Sequence, residues 1–223
     1  MSTTGAGRPV TISGMTLDDR SRPDGPTATE RQIMSATERL LETTPLAELN
    51  VARILTAAGI SRATFYAYFT SKYGPVAALL EETMDQIYDS VGAFTQRSTA
   101  DDGGGPAGLD KGLEGAAQLF RDNRMVLRAT VEHWHEVPEL RTLWLGVIDR
   151  FTAAFAAEID RERAAGHAPP GLPSRELAAA LIWGSERTLY IAGLGVTDDL
   201  PHEDRALRAL QAFWRGAVYG HSR

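Results

Sequence analysis

Between Pro138 and Ala164, one stripe carries Leu140, Leu143, Trp144, Val147, Ile148, Phe151, Phe155 and Ile159, with Arg141, Asp149 and Arg150 on the other face. Apolar residues in that rhythm cover one side of a single helix of about seven turns. A strand would need strict alternation, and no segment of the 223 residues sustains it between turn signals. Further helices are predicted over 109–122, 124–135, 174–194 and 203–219. Another runs from Pro75 to Phe94, with Val76, Leu79, Leu80, Met84, Ile87 and Val91 inward. Asp101 to Pro106, which includes Gly103, Gly104 and Gly105, is expected to be a loop. Gly166 to Pro173, with Pro169, Pro170 and Gly171, reads as a helix-breaking linker. The expected fold is all-α, with about nine helices.

The N-terminal third has a different texture. Residues 1–28 are rich in Gly, Ser, Thr and Pro without apolar period, and are expected to form a disordered arm. Its Arg8, Arg20 and Arg22 are balanced by Asp18, Asp19 and Asp24, which argues against a strong electrostatic role. Order should begin near Thr29 as an N-cap, followed by Ile33, Ala36, Thr37, Leu40 and Leu41 at helical spacing. Pro45 closes that helix. A second follows Asn50, with Val51, Ile54, Leu55 and Ala58 on one face. Gly59 permits a sharp positive-φ turn, and Ser61 caps a third short helix running through Phe65 and Phe69.

Charge is divided unevenly. The chain carries a net −6, yet residues 31–72 hold five basic side chains (Arg31, Arg39, Arg53, Arg62, Lys72) against three acidic ones. Residues 73–223 hold 15 basic against 22 acidic. A basic head on an acidic body would orient the chain toward a polyanion, although the asymmetry is modest. No run of about 18 apolar residues marks a spanning helix, and the start of the chain does not read as a signal peptide. The absence of cysteine excludes disulfides and thiolate metal sites, which fits a cytoplasmic protein.

Three short helices, the second and third joined by a tight glycine turn, match a helix-turn-helix. Phe65 and Phe69 would share its inward face, and Arg62 and Tyr66 a face open to DNA. On spacing alone a generic three-helix bundle with a surface Arg and Tyr fits equally. The stretch Ala57-Ala58-Gly59-Ile60-Ser61-Arg62-Ala63-Thr64-Phe65-Tyr66-Ala67-Tyr68-Phe69-Thr70-Ser71-Lys72 resembles the signature of TetR-family regulators. That pattern is an Ala-Gly-Val-Ser turn followed by Tyr-x-x-Phe-x-x-Lys, and the likeness extends from about Ile33 to Lys72.

The resemblance implies a DNA-binding head over residues 29–73 and a ligand-binding and dimerisation body over 74–223. It implies a homodimer joined through the last two helices on double-stranded, palindromic operator DNA. Ser61, Arg62, Ala63, Thr64 and Tyr66 would lie on the recognition helix. Tyr66 and Lys72 match phosphate-contacting positions, while Arg62 and Thr64 fit base reading. Tyr68 fits either a core or a DNA-facing role. One departure is Tyr73-Gly74-Pro75 directly after the lysine, where the family continues with helix formers. It predicts a helix starting at Pro75 and Lys72 on a looser loop.

All four tryptophans (Trp134, Trp144, Trp183, Trp214) lie beyond residue 130 and join Phe120, Phe151, Phe155 and Tyr190 in an aromatic-rich body. Each could fill core or line a pocket; few polar partners among them favour a neutral, apolar ligand. Ser185-Glu186-Arg187-Thr188-Leu189-Tyr190, residues 156–163 and Val218-Tyr219-Gly220 resemble the EthR-like branch of the family. That likeness implies a long, mostly apolar channel touched by Phe120, Trp144, Ile148, Phe151, Ile182, Ser185, Glu186, Tyr190 and Trp214. Ser185 stands where an amide is typical, and Leu109 and Ala116 where larger aromatics are. Glu186 could equally face solvent, paired with Arg187 or Tyr190. Small residues Ala178, Ala179 and Ala180, with Leu177, Leu181, Leu189, Leu207, Leu210, Trp214 and Val218, suit a four-helix dimer interface, the alternative being that they complete a monomer core.

An enzyme is the rival class. His133 and His135 flank Trp134 beside Glu132 and Glu136, but residues two apart on a helix diverge and cannot easily share a metal. No phosphate loop or nucleophile elbow is present. The expectation is therefore a one-component regulator, a repressor released by a small hydrophobic effector, with no catalytic residues, metal or resident cofactor. The alternative is an activator, or a helical ligand binder without DNA-release switching.

Overall fold

The structure, a computed structural model, describes residues 25–95, 105–200 and 202–220. Most of the expected N-terminal arm, and residues 101–104 of the expected glycine loop, lie outside these. Among the described residues there are ten helical segments and no strand: α1 (Ala28–Leu41), α2 (Val51–Ala58), α3 (Arg62–Tyr68), α4 (Tyr73–Ser90), α5 (Gly92–Thr95), α6 (Gly105–Asp122), α7 (Arg124–His133), α8 (Pro138–Ala164), α9 (Ser174–Leu194) and α10 (Glu203–Tyr219). The tenth relative to expectation is α5, a single turn cut from the end of the predicted fourth helix. None of the described helices is long and apolar enough to cross a membrane.

Local chemistry sets the ends of the first three helices. The amide of Glu30 donates to Thr27 Oγ1 at 3.2 Å, and the amide of Thr27 donates to Glu30 Oε2 at 3.4 Å. This reciprocal box satisfies two otherwise orphaned amides, so α1 starts after Thr27 and Thr29 lies inside it. Asn50 Oδ1 accepts from the Arg53 amide and Ser61 Oγ from the Thr64 amide, at 3.1 and 3.0 Å. Between them Gly59 has φ +65°, the left-handed turn that lets α3 leave α2 sharply. Gln32 of α1 donates Nε2 to the terminal carbonyl of Ala58 at 2.6 Å, tying the first helix to that turn.

Helix α4 begins at Tyr73, not at Pro75. The amides of a first helical turn have no intrahelical acceptor, so a proline in the third position costs no ladder bond. Gly74 has a separate reason: a Cβ there would lie 2.9 Å from Phe69 Cδ1. The end of the head and the start of α4 are pressed together at this point. Helix α6 likewise starts earlier than predicted, taking in Gly105 and Pro106.

Ile33, Leu46, Leu49, Ile54 and Phe65 form the centre of the α1–α3 group, with Phe69 beside it at a ring separation of 6.0 Å from Phe65. This core runs without a break into Val76 and Leu80 of α4. The remaining helices surround the other end of α4, with α8 and α9 packed along each other. Arg150 of α8 ties α8 to α4: Nη1 donates to Asp85 Oδ1 at 2.7 Å, Nη2 to the Met84 carbonyl at 3.4 Å, and the guanidinium lies 4.5 Å from the Tyr88 ring centre.

Phe65 is fully buried. Phe65→Ala is expected to remove about 3–5 kcal/mol of stability by leaving a cavity in the small core, measured by urea unfolding followed by far-UV circular dichroism.

Candidate functional site

Helix α3 presents two unlike faces. Phe65 and Phe69 point into the core, while Ser61, Arg62, Ala63, Tyr66 and Tyr68 are exposed and Thr64 is half-buried. Tyr66 keeps 47% of its surface in solvent despite packing edge-on against Phe65, ring centres 5.4 Å apart. An apolar body with an exposed phenol suits a polar partner above the helix. The Ser61 and Thr64 hydroxyls share a 2.8 Å hydrogen bond, so the capping serine also fixes the Thr64 side chain.

Lys72 is not on a loose loop. Its ammonium donates to the carbonyls of Leu46 and Leu49 at 2.8 Å and of Ala47 at 3.2 Å. An ammonium has three protons, and three backbone acceptors receive them in the turn between α1 and α2. Burial lowers its pKa from the usual lysine value. Ser71 donates Oγ to Glu139 Oε2 at 3.2 Å, joining the same junction to the first turn of α8.

The body holds a partly open cavity of about 100 Å³ between α4, α6, α8, α9 and α10. Eight of the nine residues expected in a channel line it: Phe120, Trp144, Ile148, Phe151, Ile182, Ser185, Glu186 and Trp214. Tyr190 is not among its lining residues; its hydroxyl donates to Glu132 Oε1 at 3.2 Å and its ring lies 5.1 Å from the Arg187 guanidinium. Met84, Ile87, Leu113, Val147, Phe155 and Leu189 also form the wall. Sequence reasoning placed most of them in the core, because spacing cannot separate a wall from a filled interior. Ala116 lines the cavity, whereas Leu109 is buried elsewhere.

Polar atoms in this wall are few. Ser185 donates to the Leu181 carbonyl and accepts from Trp214 Nε1, both at 2.8 Å. Its hydroxyl is thereby committed to internal partners. Glu186 is 7% exposed. Burial pushes its carboxyl above the usual carboxylate range, and the Arg187 guanidinium, 3.9 Å from Oε2, partly opposes that. Glu186 Oε1 and Trp144 Nε1 have no hydrogen-bond partner among the described residues.

Residues 33–79 match the family described as bacterial regulatory proteins of the tetR family, and residues 109–220 match the C-terminal domain of the transcriptional regulator EthR. The HTH-type transcriptional regulator EthR of Mycobacterium tuberculosis is 34% identical over 209 residues, covering 91% of this chain and 92% of its own. The chain belongs to the TetR family.

EthR of Mycolicibacterium smegmatis is similar at 31% identity, with 90% of each chain covered. Solved structures agree in fold. GusR of Salmonella enterica has a TM-score of 0.68 at 15% identity over 86% of this chain and 96% of its own. A TetR-family regulator from Syntrophomonas wolfei has 0.67 at 13%, over 87% and 96%. The TetR-family chain is thus a DNA-binding transcription regulator whose C-terminal half is EthR-like, and these relatives are named as regulators, not enzymes. The histidines that raised a catalytic alternative are placed apart in role: His133 Nδ1 lies 3.0 Å from the Ala129 carbonyl, and His135 is 3.6 Å from Glu136. Among the described residues no group of three potential ligands converges on a metal position.

Two substitutions test this geometry. Lys72→Met should destabilise the protein by about 2 kcal/mol, since charge-assisted bonds to backbone are worth roughly 1.5–3 kcal/mol, and hydrogen exchange should rise first at the amides of residues 46–50. Ser185→Ala leaves the Trp214 indole unpaired and should cost about 1–3 kcal/mol. Adding Trp214→Phe should recover part of that loss in a double-mutant cycle read by thermal unfolding.

Proposed function

We propose that this regulator is a cytoplasmic repressor that holds a palindromic operator as a homodimer and releases it when a small apolar molecule enters the body. Residues 29–73 serve as the DNA-binding domain and residues 74–223 as the ligand-binding and dimerisation domain. Arg62 and Thr64 face base edges, with Ser61 and Ala63 beside them at the groove floor. Tyr66 contacts phosphate directly. Lys72 acts on phosphate as a neighbouring positive charge while it holds the α1–α2 turn, because its protons already serve carbonyls.

The observation that carries the release mechanism is that two helices that reach the head, α4 and α8, also wall the cavity. Helix α4 starts one residue after Lys72, and its Met84, Ile87 and Val91 line the cavity. Helix α8 holds Ser71 through Glu139, and its Trp144, Ile148 and Phe151 line the same space. Ligand sites commonly need roughly 300–1,000 Å³, so an effector of ordinary size must displace walls that are tied to the DNA-reading helix. By linkage, DNA then weakens effector binding by the same factor that effector weakens DNA binding.

Dimerisation through α9 and α10 is supported by Phe213, an aromatic left 49% exposed on α10 beside Gly184 of α9. A two-fold pair of heads matches a palindrome because the operator mirrors the protein's symmetry.

Gel-shift titration with DNA from upstream of the regulator's own gene tests this reading. Arg62→Ala should cost about 1–3 kcal/mol and relax preference at one base pair, while Tyr66→Phe and Lys72→Met should weaken all sequences alike. Phe213→Asp should shift the dimer to monomer in analytical ultracentrifugation and lose operator binding with it. Full retention of DNA when the cavity is saturated by ligand would reject the switch.

A further inference from the structure

The five helices around the cavity are not equally fastened. Its lining residues from α4, α8 and α10 are all buried, whereas Ala116 and Phe120 of α6 and Ser185 of α9 are half-buried. The open side therefore lies by α6 and α9. Helix α6 is also the poorest of the five as a helix. Gly108, Gly112 and Gly115 fall beyond its first turn, against none in α4, one each in α8 and α10, and two in α9. Each glycine disfavours a helix interior relative to alanine, through the backbone entropy it loses.

The hold of α6 on its neighbours is light. Leu109 and Leu113 are its only large side chains buried in the core, where α8 contributes three aromatic rings and four large aliphatic side chains. Across to α10 it is held by solvated polar pairs. Arg215 donates Nε to Asp110 Oδ1 at 2.8 Å and Nη2 to Oδ2, Gln211 donates Nε2 to Glu114 Oε1 at 3.3 Å, and Arg121 Nε lies 3.7 Å from Glu203 Oε2. Water replaces such pairs at little cost. Elements with few buried apolar contacts and exposed polar ties are the ones that open at low free energy.

We propose that α6 is the movable wall of the cavity: it parts from α10 as a unit and opens the route by which a molecule reaches the space. What enters is the effector on the reading given above; the opening itself does not depend on that reading. Helices α4 and α8 stay clamped through Arg150 while α6 opens. Access is thereby separated from the two walls that reach the head.

The sequence contains no cysteine, so one placed in the cavity wall is the only thiol, and its alkylation by iodoacetamide reads access. Ile148→Cys puts it on α8 and Ile182→Cys on α9, each in the full chain. A Cβ at Gly112 would meet Val91 Cα at 3.5 Å, an ordinary contact, so Gly112→Ala fits and favours the closed helix. It should slow alkylation of both wall thiols about fivefold. Asp110→Asn weakens the clasp to Arg215 and should speed it about two- to fivefold. Hydrogen exchange read by mass spectrometry should shift in the same directions at residues 109–120 and stay unchanged at 144–156. Ala36→Cys, buried in the head, should keep its rate in both backgrounds.

The assignment is overturned if Gly112→Ala leaves the wall thiols at their original rate, if the head thiol slows equally, or if Asp110→Asn raises exchange in α8 and not in α6. Absence of alkylation at both wall thiols over the time in which the head thiol reacts also overturns it. A gel shift of alkylated Ile148→Cys tests the switch separately. An operator complex that survives alkylation counts against release and leaves the α6 assignment standing. Release on alkylation whose rate ignores both α6 substitutions does the reverse.

Discussion

The carbonyls of Leu46, Ala47 and Leu49 end a turn that no strand or helix continues, and the Lys72 ammonium is what meets them. Leu46 and Leu49 are buried, so the ammonium that meets their carbonyls helps to hold the turn between α1 and α2 in place. The same few residues contain the last buried ring of α3, the glycine that lets that ring approach, and the first turn of α4. Because these constraints meet between residues 69 and 75, the orientation of α3 is set relative to α4 by packing and hydrogen bonds together. Helix α3 is thereby joined stiffly to the rest of the molecule.

The body makes a different compromise. A cavity walled by aromatic and aliphatic side chains sacrifices dispersion contacts, and leaving an indole N–H and a carboxyl oxygen without partners adds desolvation cost.

Local signals were legible in the sequence where local chemistry decides. Asn50, Gly59 and Ser61 marked the ends of α2 and α3, because a cap or a left-handed turn depends on residues within four positions. The spacing of Phe65 and Phe69 likewise showed which face of α3 turns inward. The start of α1 was misplaced by two residues: Thr29 stands three before Gln32 and so has cap spacing, but the box that forms is between Thr27 and Glu30. The start of α4 was hidden by Pro75, which breaks a helix in mid-run but is harmless in a first turn.

Contacts distant in sequence left less trace. Tyr190 carried the same aromatic signal as its neighbours, yet its hydroxyl finds Glu132, 58 residues away. Lys72 read as a surface cation because its acceptors are main-chain atoms, which every residue has. The cavity-lining positions common to α8 and α9 came from likeness to relatives; periodicity alone would have assigned them all to core.

Arg150 gives the molecule a fulcrum. Its bonds to Asp85 and Met84 fasten α8 to α4 beside the cavity, about twelve residues, or roughly 18 Å, from the start of α4 at Tyr73. A rotation of about ten degrees about that point would carry the near end of a rod of that length by about 3 Å. The guanidinium clamp is partly solvated, so pivoting there exchanges contacts with water and leaves the hydrocarbon packing of the head undisturbed. On the proposed switch, the short arm on the cavity side and the long arm toward the head would make α4 a lever with mechanical gain.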